Sequence, residues 1–218
     1  MKISTVNYGS LLSYTPRGKT QKEIDSKIFR HNLKAGRYVR NDTVSMPDWI
    51  ADLMKRNMEK LPFADFFQSN TVLVPVPKSA PMKDKANTLW VPKDVAYALV
   101  AQGLGKEVIS CLVRTKPVKT AHLGMMGAER PKAIDHYNSV TVQGTLSKTE
   151  SIVLIDDFVT RGATFLGCAN RLIEVFPKCK INAFAVMRTI SYSPDFKNVY
   201  SPCIGTVNLC GEETFRRP

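Results

Sequence analysis

From Thr71 onward, short apolar runs alternate with stretches whose apolar positions recur at helical spacing. TVLVPV, EVISCLV, SIVLID and INAFAVM read as strands, and PKDVAYALVA and ATFLGCANRLIEVF read as helices. In Ile152-Val153-Leu154-Ile155 no polar residue interrupts the run. That suits a strand covered on both faces, in a parallel sheet with right-handed helical crossovers. The pattern predicts an α/β protein with a doubly wound, mainly parallel sheet over residues 71–190, and VYSPCIGTVNL as a late strand.

Upstream the pattern is helical. Thr20-Gln21-Lys22-Glu23 is a capping box, in which a Thr hydroxyl and a Glu carboxylate satisfy two orphan amides at a helix start. A helix over 22–34 follows, ended by Gly36. Ser45, Pro47 and Asp48 open a second helix over 47–60, carried by Trp49, Ile50, Leu53, Met54, Met58 and Leu61 and stopped near Pro62. These signals divide the chain into a basic helical segment, 1–65, and an α/β domain, 66–218. Within the latter, the basic, glycine-containing stretch 114–134 is longer than a connection between core strands requires. Long loops in compact domains are usually functional.

Composition narrows the class. With 218 residues, 44% of them hydrophobic, the chain can bury one sizeable core, which argues against a repeat array or a disordered tail. The formal net charge of +12 predicts a field that attracts anions such as phosphate or nucleic acid. Residues 1–40 concentrate it, with nine Lys or Arg against Glu23 and Asp25. No apolar run approaches the roughly 18–20 residues that span a bilayer, and the first residues lack a signal-peptide core, so no membrane association and a cytoplasmic location are expected. The five cysteines contain no CxxC pair and the three histidines no helical metal spacing, which predicts free thiols and no structural transition metal.

The most informative stretch is Ser151 to Thr164, where a buried strand ends in Asp156-Asp157 and turns through Thr160-Arg161-Gly162-Ala163-Thr164 into a helix. Ligands of open α/β sheets bind at the carboxyl ends of strands. The turn offers backbone amides at the positive end of the 163–176 helix, a glycine for close approach and two Thr hydroxyls, which together suit a phosphate. Two adjacent acids would repel that phosphate. They are better used as acceptors for sugar hydroxyls, or as outer-shell partners of a magnesium ion. A second strand end, Val76-Pro77-Lys78-Ser79, follows Val72-Leu73-Val74-Pro75 and presents a cation able to make a charge-assisted contact with diphosphate. Gly18-Lys19-Thr20 ends like a nucleotide-binding P-loop, but Ser13 stands where that loop needs its first glycine, and Thr20 already caps a helix.

IVLIDDFVTRGAT resembles the phosphoribosyl pyrophosphate loop of type I phosphoribosyltransferases. The resemblance implies that Asp156 and Asp157 contact the ribose hydroxyls, that Thr160 to Thr164 hold the 5′-phosphate, and that Val76 to Ser79 form the pyrophosphate loop. With Arg114-Thr115-Lys116 and Leu123-Gly124-Met125-Met126-Gly127-Ala128-Glu129-Arg130, the chain is most similar to the amidophosphoribosyltransferase-like competence proteins of the ComF family. It lacks their amino-terminal four-cysteine zinc ribbon. By the same resemblance residues 114–134 are a mobile hood, with Arg114, Lys116, Lys119 and Arg130 as candidates for diphosphate contacts.

The implied activity is a Mg²⁺-dependent transfer of the phosphoribosyl group to a nitrogenous acceptor with release of diphosphate. Asp156, Asp157 and Lys78 would be the catalytic residues, and magnesium would be held mainly through substrate. Acceptor specificity is expected in the hood and around Arg188, Thr189 and Tyr192, and relatives of this family are commonly homodimers. The alternative is a non-catalytic sensor of phosphoribosyl pyrophosphate or nucleotide that binds nucleic acid through Lys19, Lys22, Lys27, Arg30, Lys34, Arg37 and Arg40.

Overall fold

A computed structural model describes residues 1–39, 43–81, 89–118, 130–144 and 149–218. Along the chain run β1 (Thr5–Tyr14), α1 (Gln21–Lys34), the short pair β2 (Tyr38–Val39) and β3 (Val44–Ser45), α2 (Met46–Asn57) and β4 (Val72–Pro75). Next come α3 (Val91–Ala101), β5 (Glu107–Val108), β6 (Leu112–Arg114), α4 (Ala133–Asn138) and β7 (Val140–Val142). The last elements are β8 (Ser151–Val159), α5 (Ala163–Val175), β9 (Lys180–Thr189), β10 (Tyr200–Cys210) and β11 (Glu213–Arg217).

Among the described residues a seven-stranded sheet has the order β11-β10-β1-β9-β8-β4-β5. Strands β5, β4, β8, β9 and β1 run parallel, and β10 is antiparallel to both β1 and β11. Helices cover both faces. Leu73, Val153, Ile155 and Phe184 pack with α2 and α3 on one side, while Val72, Val74, Ile152, Leu154 and Ala185 pack with α5 on the other. This two-sided burial is the physical reason β8 reads as an unbroken apolar run.

The helix starts follow their sequence signals. The Thr20 and Glu23 side chains form the capping box of α1, and Ser45 Oγ accepts a hydrogen bond from the Asp48 amide at the start of α2. Two elements differ from the sequence reading. The EVISCLV run is two strands, because β5 pairs with β4 at the sheet edge while β6 leaves the sheet to form a ribbon with β7. Residues 5–14, within a segment read as helical, form strand β1 between β9 and β10.

The sequence TVNYGSLLSY hides this strand because its buried polar positions are satisfied by distant partners. Ser13 Oγ donates to the Asn198 carbonyl at 2.6 Å and Ser10 Oγ accepts from Arg188. At Gly9 a side chain is excluded by contact, since a Cβ would lie 2.6 Å from Phe63 Cγ.

No helix among the described residues is long and apolar enough to cross a membrane. All five cysteines are free thiols. Burial pushes Cys111 up to about 11 and Cys168 up to about 12.

Candidate functional site

The chain leaves β4 through α3 toward β5 at one edge, and leaves β8 through α5 toward β9 on the other side. Where two neighbouring parallel strands send their connections in opposite directions, a crevice opens at their carboxyl ends. The two segments singled out in the sequence meet at this switch point. Pro75 is in register with Ile155, and the Val76 amide donates to the Ile155 carbonyl at 2.8 Å.

The β4 end is held in place from several directions. Trp90 Nε1 donates to the Val76 carbonyl at 2.8 Å, Arg114 Nε to the Lys78 carbonyl at 2.9 Å, and the Val118 amide to the Ser79 carbonyl at 2.8 Å. Val76 and Pro77 are buried, Lys78 is half-buried and Ser79 is exposed. Proline at 75 and 77 removes two amide donors, so this end of the strand needs no further ladder partner.

At the other strand end, β8 runs through both acids to Val159. Asp156 Oδ1 accepts the Asp157 amide at 2.8 Å, so one of its oxygens is committed to the backbone. Burial pushes the Asp156 carboxyl well above the usual carboxylate range, the neighbouring Asp157 charge adds to this, and Lys34 partly offsets it.

The following turn is braced rather than free. Thr160 Oγ1 lies 3.0 Å from Thr189 Oγ1, Arg216 Nε donates to the Thr160 carbonyl at 2.8 Å, and Arg161 forms a 3.0 Å ion pair with Glu213. Gly162 has φ +84°, and a Cβ there would fall 2.3 Å from Val207 Cγ2 of β10. Helix α5 starts at Ala163 without a side-chain cap, so its first amides are left to another acceptor. Behind the turn, His136 Nε2 is 3.4 Å from Thr164 Oγ1, and its Nδ1 is buried with no partner among the described residues. Burial, with the Arg114 charge beside it, lowers His136 to about 4, so the ring is neutral at pH 7.

The expected hood residues separate. Arg114 is buried, only 4% exposed, and spans the Lys78 carbonyl and Ser139 Oγ. It is therefore a brace beneath the β4 turn, placed there because β6 pairs with β7. Lys116 and Arg130 are exposed. Lys119, the 123–129 pattern and Arg40 lie outside the described residues. Farther along, Arg188 is buried and bonded to Ser10 and Ser201, which removes it from the surface, while Tyr192 is exposed.

Two contributors to the site were not read from the sequence. Arg216, from the last strand, also donates to the Thr189 carbonyl at 2.6 Å and to the Tyr8 hydroxyl at 2.7 Å, tying β1, β9 and the 160–164 turn together. Helix α1 lies near the strand ends. Its Glu23 accepts from Ser193 beyond β9, and its Arg30 guanidinium sits 5.2 Å from the Tyr14 ring centre and 5.7 Å from that of Phe158. Lys34 Nζ is 5.1 Å from the Phe158 ring centre.

A groove of about 460 Å³ opens elsewhere, lined by Tyr38, Asp48, Asp94 and Tyr97 among others, and includes no residue of the two strand ends. Burial raises the Asp94 carboxyl there, against the opposing charges of Lys93 and Lys78.

No protein-family model matches the chain, and no curated protein matches it.

Proposed function

We propose that the protein is a Mg²⁺-dependent phosphoribosyltransferase that uses phosphoribosyl pyrophosphate and a nitrogenous acceptor. One observation carries this reading: at the switch point, the Asp156-Asp157 strand end and its uncapped turn into α5 lie beside the Lys78 turn of β4. Phosphate at the α5 amides, ribose at the acids and diphosphate at Lys78 would follow the order of one ligand laid across the crevice. Asp156 has one oxygen on a backbone amide, which leaves its other oxygen and Asp157 for the sugar hydroxyls.

The two carboxyls offer only oxygen donors, which fits magnesium held chiefly by water and substrate oxygens. Magnesium, when bound, neutralises charge on the departing diphosphate. The protein's own part is to position and stabilise. The acceptor nitrogen forms a bond to C1′ as the C1′–O bond to diphosphate breaks. The electron pair leaves on the diphosphate oxygen, and the nitrogen's proton passes to solvent. Lys78 stabilises the leaving group and the acids hold the ribose as positive charge develops on the ring.

Calorimetric titration of phosphoribosyl pyrophosphate with Mg²⁺ into wild type and Asp157→Asn tests this. Losing a charge-assisted hydrogen bond should cost about 1.5–3 kcal/mol, roughly ten- to a hundred-fold in affinity. Absence of wild-type binding would sink the proposal.

The nucleic-acid alternative draws on fewer free cations than the sequence suggests. Lys27 Nζ donates to the Gly18 carbonyl and Arg30 is half-buried against the Tyr14 and Phe158 rings. Lys19, Lys22, Lys34 and Arg37 remain exposed.

A further inference from the structure

An in-line displacement brings the nucleophile to C1′ from the side opposite the leaving diphosphate. With diphosphate at the β4 turn, on one side of β8, the acceptor must approach from the other side, where β9 and β1 lie. That side is occupied by the basic helix α1. Its Arg30 covers Tyr14, the last residue of β1, and Phe158, two residues beyond Asp156. Lys34, one helical turn on, faces the same Phe158 ring. The two rings meet edge to face, with centres 6.3 Å apart.

Neither cation has an ion-pair partner among the described residues. An arginine held against aromatic faces has its planar fork pre-organised, and its N–H edges stay available for a carboxylate or phosphate. Beside the approach path of a nucleophile, Arg30 and Lys34, whose charge also acts on Asp156, are unfavourable for a cationic acceptor and favourable for an anionic one.

We propose that Arg30 and Lys34 form the acceptor subsite and that the nitrogenous acceptor is a planar ring bearing an anionic substituent. This rests on the phosphoribosyltransferase reading, and it assigns the helix outside the strand-end motifs to substrate selection. Arg30 stacks on and pairs with the acceptor, and Lys34 adds a second charge on the same side.

The test uses mononucleotides, which occupy the phosphate and ribose positions and need no turnover. Uridine 5′-monophosphate and its 6-carboxylate form one pair, and nicotinamide and nicotinate mononucleotides form another. Within each pair only the carboxylate differs. Calorimetry on wild type should show about ten-fold or tighter binding of the carboxylate member in at least one pair. Arg30→Gln should collapse that ratio toward one, Lys34→Gln should reduce it, and Arg30→Lys should restore part of it.

Equal affinities within both pairs, or a preference that survives Arg30→Gln, would overturn the proposal while leaving the phosphoribosyl site standing. If wild type binds neither phosphoribosyl pyrophosphate nor any of the four nucleotides, the underlying reading fails and the subsite with it. Thermal melts of the variants check that a lost ratio is not lost fold.

Discussion

Gly162 is the sharpest point at which the site and the fold constrain each other. Its φ of +84° lies in the left-handed region, and alanine there costs about 1–2 kcal/mol in backbone strain. A Cβ would also fall 2.3 Å from Val207 Cγ2 and 2.6 Å from Cγ1, more than an ångström inside van der Waals contact. Overpacking of this kind adds about 1–3 kcal/mol, so Gly162→Ala should destabilise the ligand-free protein by about 2–5 kcal/mol.

Val207→Ala separates the two contributions. Alone it removes two buried methyl groups, at about 0.8 kcal/mol each plus a cavity term. In the Gly162→Ala background it also relieves the overlap, and the pair should show a favourable coupling of about 1–2 kcal/mol. Urea unfolding of the four proteins, followed by far-ultraviolet circular dichroism, measures this. Strict additivity, or a Gly162→Ala protein within about 0.5 kcal/mol of wild type, would refute the contact and leave the glycine to ligand approach alone.

The pH dependence should carry the signature of His136. The unfolded ring takes up a proton near the ordinary 6.5, whereas the folded ring resists until about 4. Stability is therefore lost as pH falls through that window, by about 3 kcal/mol at its foot, and His136→Leu should flatten the slope in urea titrations between pH 7 and 4. Arg114→Met leaves the Lys78 carbonyl without its buried donor and should cost about 2–3 kcal/mol. Because Arg114 also holds the His136 value down, the same variant should move the His136 titration, followed by proton NMR, toward higher pH. An unchanged titration would contradict the packing described here.

Much of the candidate site is legible in the chain because its signals are local. The apolar run into Asp156-Asp157, the glycine at 162 and the apolar face of α5 are neighbours in sequence, and periodicity with turn chemistry places them on a strand, a turn and a helix. The capping box at Thr20 and the Ser45 cap are equally local. The family resemblance makes Arg114 a hood cation in contact with diphosphate, whereas the structure buries it. Its burial depends on pairing between β6 and β7, which local pattern does not encode.

The sequence by itself determined the strand-turn-helix that carries the acids, the β4 turn with Lys78, the class of mixed α/β fold and the basic character of the first helix. Each depends on side chains within a few residues of one another, whose conformational preferences act before distant contacts form. Only the tertiary structure decided that the two strand ends adjoin, that β1 enters the sheet beside β9, and that Arg216 braces the turn from the far end of the chain. It also set α1 against Tyr14 and Phe158. Strand pairing brings together residues well over a hundred positions apart, as Tyr8 and Arg216 show. Polar residues such as Ser10 and Ser13 then sit buried without penalty because partners from elsewhere satisfy them, and no local pattern announces who those partners are.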